Sequence, residues 1–415
     1  MNAINSILVY LDADFLDEEQ CIGLLNYDRG HYSFEYTQDW LSHQYAFKID
    51  PELELWKGFQ HPSKSTFGIF LDLSPDRWGR ALMDKRQLIE CIDSKQVYRQ
   101  LYDWDYLLGV SDQTRMGAIR LKNDQGEYID NRENATPPVT SLSELEYVAS
   151  QLERADSDEL PELRQWLSQL MAPGSSLGGA RPKANFQETD GSLWIAKFPS
   201  HNDKYDVGLW EYIVHILARK SGIDVPDSRI KCFSREHHTF IVKRFDRENK
   251  KRSMFCSAMT ALKKSDGEHA SYLEILEFIT DNASTGINQQ LEQLWRRMIF
   301  NVMVSNRDDH LRNHGFIFDK DGWKLSPAYD INVNLDKQDH TLTFDYVQNR
   351  PSIEVLFSVI EHFRISTARA KEITQEVANV IKGWKAVALD AGARNAEISR
   401  IESAFSYAFT AVNDS

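Results

Sequence analysis

The spacing of apolar and polar residues differs between three parts of the chain. In the first part, short apolar runs bounded by turn residues indicate strands. Strands are predicted at 5–12, 21–27, 31–36 and 116–122. One helix is predicted to begin within 73–80 and to run to about residue 92, and another is predicted at 97–109. The turn residues 28–30 are expected to join two of these strands into a hairpin. We therefore predict a small α+β module in residues 1–125.

The second part begins after a polar stretch at 123–139, which is predicted to be a linker or loop. Helix and strand patterns then alternate. Helices are predicted at 142–154, 160–170 and 206–221, and strands at 185–188, 193–199, 228–234 and 239–243. This alternation is typical of the nucleotide-binding lobe of a kinase-like fold, and we assign that lobe to residues 140–250.

Helical patterns dominate the third part, residues 251–415. Helices are predicted at 269–280, 288–305, 353–362, 366–390 and 395–410, with a hairpin at 314–334. The segment 291–304 is densely apolar, so its helix is expected to be buried. The chain is thus predicted to be an α+β protein with a two-lobed kinase-like fold, an additional N-terminal module and a mostly helical C-terminal lobe.

Composition narrows the possible functions. The 48 basic and 62 acidic residues give a net charge of −14, which disfavours non-specific coating of nucleic acid. The four cysteines form no C-x-x-C pair, which argues against a zinc ribbon and a disulfide framework. The N-terminus does not resemble a signal peptide, and no apolar run is long enough to span a membrane. We therefore expect a cytoplasmic protein.

The strongest chemical signal is a pair of polar residues after the predicted buried helix. Asp308 and Asn313 have the Asp-x-x-x-x-Asn spacing of kinase catalytic loops, and Asp330 follows the next predicted hairpin. Phosphoryl transfer needs bound phosphates, a metal ion and a carboxylate near the acceptor hydroxyl. In this interpretation Asp308 is the base, and Asn313 and Asp330 bind Mg²⁺. The alternative is a polar entrance to a hairpin without chemistry.

Other residues of this loop have several possible roles. A structural role is open for Asp309, and His310 is expected to hold the loop by hydrogen bonding or to act in general acid–base catalysis. His310 is also a candidate for binding the cofactor. A zinc site formed by Asp309, His310 and His314 is a further alternative, although no cysteine or fourth ligand has suitable spacing.

Upstream residues supply candidates for nucleotide binding. The Gly-rich segment 174–183 includes Gly178, Gly179 and Lys183, and glycines allow backbone amides to approach phosphate. The alternative for this segment is a plain loop. Lys197 lies in an apolar predicted strand and needs an anionic partner, either ATP phosphate or Glu211. The alternative for Lys197 is an edge strand that faces water.

The strand that ends the second part, at 240–247, is expected to lead into the connection between the lobes. In a kinase this connection presents backbone groups and apolar side chains to adenine. Lys243 and Phe245 are the candidates for this role, and the alternative is a strand that runs into a charged loop.

Taken together, these motifs resemble those of the HipA family of bacterial toxin kinases, and the resemblance covers nearly the whole chain. The segments that carry it are 73–80 (LSPDRWGR), 176–183 (SLGGARPK), 194–199 (WIAKFP), 243–247 (KRFDR), 306–313 (NRDDHLRN) and 325–330 (LSPAYD). The resemblance implies an ATP- and Mg²⁺-dependent serine/threonine kinase. The best-known member phosphorylates an aminoacyl-tRNA synthetase, glutamyl-tRNA synthetase, and so favours dormancy.

The resemblance also implies regulation and partners. A serine of the Gly-rich loop is autophosphorylated in the family, and it corresponds to Ser176, with Ser175 as the alternative. A HipB-type helix-turn-helix antitoxin is the expected partner and would provide most contacts with operator DNA. Two segments depart from the family pattern: Tyr329-Asp330-Ile331 replaces Asp-Phe-Gly, and residues 253–260 lack the Gln that other members carry near adenine. The alternatives are a small-molecule or lipid phosphotransferase and a non-catalytic corepressor.

Overall fold

The computed structural model describes residues 5–130, 136–154, 181–233, 236–283 and 285–410. Tertiary contacts group the chain into two compact units. The first unit comprises Met1–Asn202 and Asp246–Cys256, and the second comprises Asp203–Phe245 and Ser257–Ser415. The division into three domains expected from the sequence, at 1–125, 140–250 and 251–415, stays a prediction.

A four-stranded antiparallel sheet organises the N-terminal part of the first unit. Its strands are Ser6–Leu11, Gln20–Asp28, His31–Tyr36 and Ile119–Lys122, and Ser6–Leu11 pairs with both Gln20–Asp28 and Ile119–Lys122. The predicted hairpin is confirmed, since Arg29 and Gly30 have φ values of 48° and 92°, the left-handed conformation of tight hairpin turns. Ile7, Val9 and Leu11 are buried and alternate with more exposed residues, so the strand pattern in the sequence identifies the core face.

The helices of the first unit are Gln38–Leu41, Gly68–Asp72, Arg77–Ser94, Asp103–Leu108 and Leu142–Leu152, with a 3₁₀ turn at Val139–Ser141. The helix Arg77–Ser94 begins where it does because the Asp76 carboxylate accepts a hydrogen bond from the Gly79 backbone at 2.7 Å. The helix predicted at 97–109 is wrong over its first half. Val97 is 92% exposed, and without packing a short helix has little to stabilise it.

The first unit also contains a second hairpin. Lys183–Gln187 pairs antiparallel with Leu193–Lys197, and Gly191 in the connecting turn has a φ of 84°. The short strands Arg247–Glu248 and Lys251–Arg252 pair with each other, and the strand Met254–Ser257 follows. The helix predicted at 160–170 lies outside the described residues.

In the second unit, two antiparallel hairpins accompany a set of helices. The hairpins are Ser228–Lys231 with Thr239–Lys243 and Gly315–Asp319 with Gly322–Leu325. The helices are Val207–Lys220, Ala258–Ala261, Tyr272–Asn282, Ile287–Met303, Ile353–Ser358, Thr367–Lys382, Trp384–Asp390, Asn395–Ile401 and Tyr407–Thr410, with 3₁₀ turns at Leu311–Asn313, Ile360–Phe363 and Glu402–Phe405. The C-terminal helices are shorter than predicted, and Gly383 separates two of them.

The helix Ile287–Met303 forms the core of the second unit and leads into the predicted catalytic loop. Leu291, Leu294, Trp295 and Met298 are completely buried, which confirms the prediction of a buried helix. Within the described residues, no helix is both long enough and apolar enough to cross a membrane.

Candidate active site

The predicted catalytic loop starts where the helix Ile287–Met303 ends. Ser305 has a φ of 52°, and its hydroxyl donates to the Ala404 carbonyl at 2.8 Å. The Asn306 backbone nitrogen donates to the Asn301 carbonyl at 2.8 Å, and its side-chain amide donates to the Asn301 side-chain oxygen at 3.0 Å. The start of the loop is therefore fixed to a buried helix, which limits the positions that the following residues can adopt.

The loop brings Asp308 and Asn313 together. The 3₁₀ turn Leu311–Asn313 folds the loop back, and Asn313 Nδ2 donates to the Asp308 carbonyl oxygen at 2.9 Å. The Asp308 side chain is 48% exposed, and its Oδ1 accepts a hydrogen bond from Lys337 Nζ at 2.5 Å. No described residue donates a hydrogen bond to Asp308 Oδ2. One oxygen of this carboxylate is therefore available to an external hydroxyl group.

Asp309 has the opposite environment. Its carboxylate is completely buried, and Oδ2 accepts hydrogen bonds from the Tyr272 hydroxyl at 2.8 Å and from His340 Nδ1 at 3.0 Å. Oδ1 accepts from the backbone nitrogens of Thr341 at 3.0 Å and Leu342 at 3.4 Å. Since both oxygens are occupied by protein donors, Asp309 is a structural residue of the loop.

The electrostatics of this buried cluster follow from its contacts. Burial alone would raise the pKa of the Asp309 carboxyl, but His340 and the hydrogen bonds from His340 and Tyr272 outweigh it and lower the pKa. Burial and the adjacent Asp309 charge raise the pKa of Tyr272 well above its usual value. Asp309 is thus an anion and Tyr272 a neutral donor at neutral pH, which matches the hydrogen bonds between them.

The two histidines of the loop differ in burial. His310 is half-buried, and its carbonyl accepts a hydrogen bond from the Asn313 backbone at 2.8 Å, so this residue helps to shape the turn. His314 is buried, with its ring edge-on to Tyr272 at 5.6 Å between centroids. Burial lowers the pKa of His314 to about 4, so its imidazole is neutral at physiological pH.

Asp330 lies in the segment that follows the hairpin Gly315–Asp319 with Gly322–Leu325. Its φ of 55° is unusual for a residue other than glycine, and its Oδ1 accepts from Asn332 Nδ2 at 3.2 Å. The buried Arg297 donates to the Ser326 carbonyl at 2.6 Å and so ties this segment to the core helix. Burial lowers the pKa of Arg297 to about 10, and its guanidinium remains charged at neutral pH.

One small cavity borders both the catalytic loop and the segment that carries Asp330. It is lined by Ile223, Arg297, Asn301, Asn306, Asp309, Asn313, His314, Ala328, Tyr329 and Ile331. Because Tyr329 and Ile331 flank Asp330, the two predicted metal-binding positions lie on neighbouring segments. The structure therefore places Asp308, Asn313 and Asp330 in one region of the second unit.

Phe245, a candidate adenine contact, packs next to this region. Its ring stacks on Tyr329, with centroids 5.4 Å apart and an interplanar angle of 27°. The Tyr329 hydroxyl in turn donates to the Arg312 carbonyl at 2.8 Å. Lys243 ends the strand Thr239–Lys243, where its backbone nitrogen donates to the Asp227 carbonyl at 2.8 Å. An aromatic side chain thus lies beside the residue that precedes Asp330.

The remaining nucleotide candidates lie outside the loop. Lys197 is the last residue of the strand Leu193–Lys197 in the first unit and is half-buried. Glu211 is on the helix Val207–Lys220 in the second unit and is only 3% exposed. Their predicted pairing stays a prediction. Ser176, Gly178 and Gly179 lie outside the described residues.

Lys183 has a partner that the sequence did not indicate. Its ammonium group is buried and lies 2.8 Å from Asp76 Oδ2, while the other oxygen of Asp76 caps the helix Arg77–Ser94. A buried lysine needs such a counter-charge. The lysine therefore meets a protein carboxylate in this conformation, and its contact with phosphate stays a prediction.

Lys337 and His340 are among the residues of the site that the sequence analysis missed. Lys337 contacts Asp308, and His340 contacts Asp309, across 29 and 31 residues of sequence. No motif connects these positions. The only available signal was general, since a buried acid such as Asp309 requires donors from elsewhere in the chain.

Comparison with curated proteins finds two partial matches, both of which carry the provisional name of kinase. A Haemophilus influenzae protein is 32% identical over 136 residues, and Y4dM of Sinorhizobium fredii is 27% identical over 159 residues. The matches cover 29% and 35% of this chain and 39% and 38% of those proteins. The chain thus spans about two fifths of the length of the curated relatives that it matches.

Comparison with solved structures and family models covers more of the chain. A chain of the Shewanella oneidensis MR-1 toxin–antitoxin complex of HipA, HipB and operator DNA matches with a TM-score of 0.66 and 16% identity, over 97% of this chain and 96% of that one. This likeness confirms the predicted α+β, kinase-like fold class. The model of the HipA N-terminal domain matches residues 14–122, and that of the HipA-like C-terminal domain matches residues 175–384. With half of its length matched by the C-terminal model alone, this chain belongs to the HipA family.

Proposed function

We propose that this chain is an ATP- and Mg²⁺-dependent kinase that phosphorylates serine or threonine residues of a protein. The observation that carries the proposal is the environment of Asp308. Its carboxylate is half exposed and has an available oxygen, while the adjacent Asp309 is buried and fully hydrogen-bonded. Of these two carboxylates, Asp308 is therefore the one that can meet an external substrate.

In the proposed reaction, the acceptor hydroxyl oxygen attacks the γ-phosphorus of ATP. A bond forms between these two atoms, and the bond from the γ-phosphorus to the oxygen that bridges to the β-phosphorus breaks. The hydroxyl proton passes to Asp308, and the electron pair of the broken bond leaves with ADP. Such transfers depend mainly on positioning and charge stabilisation, which a fixed loop with one accessible carboxylate favours.

Asn313 and Asp330 are proposed to bind Mg²⁺. Asn313 uses its amide nitrogen to contact the Asp308 carbonyl, and among the described residues none donates to its side-chain oxygen. An amide oxygen and a carboxylate suit this hard cation. When bound, Mg²⁺ neutralises negative charge on the phosphate oxygens.

The other predicted nucleotide contacts complete the proposal. Lys197, held by Glu211, would bind phosphate, and the backbone at Gly178 and Gly179 would enclose it. Lys243, Phe245 and His310 would border the nucleotide. The stack of Phe245 on Tyr329 supports this assignment, because it places an apolar surface beside Asp330. Lys183 can join them only if it leaves its pair with Asp76.

Substrate and regulation are proposed by similarity to the HipA family. The acceptor would be a serine of a translation-related protein, such as an aminoacyl-tRNA synthetase, and autophosphorylation of Ser176 would regulate activity. A HipB-type antitoxin would bind the chain and contact operator DNA. The Shewanella oneidensis relative supports this partner, because its solved complex contains HipB and operator DNA.

We expect the purified chain, incubated with Mg²⁺ and γ-labelled ATP in a bacterial lysate, to transfer label to protein. EDTA should abolish the transfer, and Asp330→Asn should reduce it to background. Asp319→Asn, which removes a hairpin carboxylate paired with Lys324, should leave the transfer unchanged.

Phosphopeptide analysis of the chain by mass spectrometry should find phosphate on Ser176. Label confined to a lipid or small-molecule fraction would instead identify a different phosphotransferase, and no transfer at all would favour a non-catalytic corepressor.

A further inference from the structure

We propose that Lys337 is a positioning residue that orients the Asp308 carboxylate toward the acceptor hydroxyl. This inference rests on the proposed kinase function and adds a residue that no catalytic motif contains. Lys337 lies between Asp330 and the buried His340, in a segment without regular secondary structure. Its position therefore depends on side-chain and backbone contacts rather than on a helix or strand.

Those contacts hold the segment from the N-terminal side. The Asn334 backbone nitrogen donates to the Ser305 carbonyl at 2.9 Å, at the start of the catalytic loop. The Asn334 side-chain oxygen accepts from the backbone nitrogens of Asp336 and Lys337, at 3.1 and 3.0 Å. This local turn fixes the backbone of Lys337 relative to the loop.

Further contacts hold the segment from the C-terminal side. The Arg307 guanidinium donates to the Lys337 carbonyl, and the Thr341 hydroxyl donates to the Arg307 carbonyl at 3.0 Å. The Thr341 backbone nitrogen donates to the buried Asp309 at 3.0 Å. The segment that carries Lys337 is thus hydrogen-bonded to Arg307 and Asp309, the loop residues on both sides of Asp308.

The ammonium group completes the arrangement. Lys337 Nζ donates to Asp308 Oδ1 at 2.5 Å and to the Thr341 hydroxyl oxygen at 3.0 Å. The Thr341 hydroxyl is itself held by its hydrogen bond to the Arg307 carbonyl, so it defines the direction of the lysine side chain, and the lysine then occupies one particular oxygen of Asp308. The second oxygen, Oδ2, is left to accept the proton of the substrate hydroxyl, so the pair selects one orientation of the base.

A purely stabilising role does not explain this pair. The side chains of Lys337 and Asp308 are 44% and 48% exposed, and such surface ion pairs contribute little to stability. The pair Lys385–Glu402 in the same unit, with side chains 52% and 57% exposed, is comparable in exposure but lies outside the loop. Lys385 therefore provides a matched control for the loss of an exposed lysine.

The test is a comparison of Lys337→Met, Lys337→Arg and Lys385→Met in the full-length chain. We expect Lys337→Met to lower kcat by about 10²-fold, the size of effect that misplacement of a catalytic group produces. The KM for ATP and the thermal shift caused by Mg-ATP should remain within about twofold of wild type, because the lysine orients the base and does not bind nucleotide. Lys337→Arg should recover most of the loss, and Lys385→Met should match wild type.

Three results would overturn the inference. They are a kcat of Lys337→Met close to that of Lys385→Met, a loss of the Mg-ATP thermal shift in Lys337→Met, and an arginine variant as slow as the methionine variant. Unchanged melting of the ligand-free variants would show that the fold is intact. Failure of the wild-type chain to transfer phosphate would refute the proposed function itself, whereas an active wild type with an equally active Lys337→Met would refute this inference alone.

Discussion

Replacement of Asp308 by Asn is expected to lower kcat for phosphoryl transfer by about 10³-fold, within the range that general bases contribute. An amide cannot accept the hydroxyl proton at Oδ2, the carboxylate oxygen that the loop leaves available. Mg-ATP should still bind, because the proposed metal ligands Asn313 and Asp330 and the proposed phosphate ligand Lys197 are unchanged. Initial rates with saturating acceptor, together with thermal shifts caused by Mg-ATP, would measure both effects.

The control for this substitution is Asp319→Asn, which removes a carboxylate from the hairpin of the same unit. Its kcat should equal that of wild type. If Asp308→Asn transferred phosphate at the wild-type rate, Asp308 could not be the base, and the chemical interpretation of the loop would have to be abandoned. Loss of Mg-ATP binding by Asp308→Asn would also argue against a role confined to proton transfer.

Local patterns in the sequence were sufficient to predict many of the elements. At the hairpin near 28–30, Gly30 suits the positive φ of the turn, and the many apolar residues of 291–304 correctly indicated a buried helix. The helix predicted at 97–109 forms only from Asp103 onward. Val97, in the half that is not helical, is exposed and has no surface to pack against. Packing of this kind depends on tertiary structure, which a local pattern does not contain.

In the candidate site as well, contacts between residues close in sequence were predictable and contacts between distant residues were not. The closeness of Asp308 and Asn313 follows from their spacing, because the 3₁₀ turn Leu311–Asn313 folds the chain back within five positions of Asp308. The contacts of Lys337 and His340 were not predictable, since both residues approach the loop from about 30 positions further along the chain. The sequence therefore indicated the contacts within the loop better than it indicated the distant residues that support the loop.

Two adjacent acids with different environments are the central feature of this loop. Asp308 and Asp309 have the same chemistry, yet one side chain is 48% exposed and the other completely buried. The difference arises from Tyr272, His340 and the Thr341 backbone, which donate hydrogen bonds to the two carboxylate oxygens of Asp309. A buried, charged anchor next to the proposed base lets the protein fix the loop while the Asp308 carboxylate stays half exposed.

The difference in burial between the two acids predicts that Asp309→Asn lowers stability far more than Asp308→Asn. We expect Asp309→Asn to lower the free energy of unfolding at pH 7 by roughly 3 kcal/mol, because removal of one partner leaves a buried polar cluster without its charge. Asp308→Asn removes only a half-exposed ion pair and should cost less than about 1 kcal/mol. Urea denaturation of both variants and of wild type would measure these differences.

The pH dependence of urea denaturation tests whether the Asp309 charge causes this difference in stability. The pKa of Asp309 is lowered in the folded protein, so its contribution to stability is complete above the unfolded value, near 3.8, and is lost as the pH falls through the folded value. The difference in the free energy of unfolding between wild type and Asp309→Asn should therefore be constant above about pH 5. It should become smaller in more acidic solution, as the wild-type carboxylate takes up a proton. A gap independent of pH down to the acid transition, or equal stability of the two variants at pH 7, would show that the Asp309 charge does not anchor the loop.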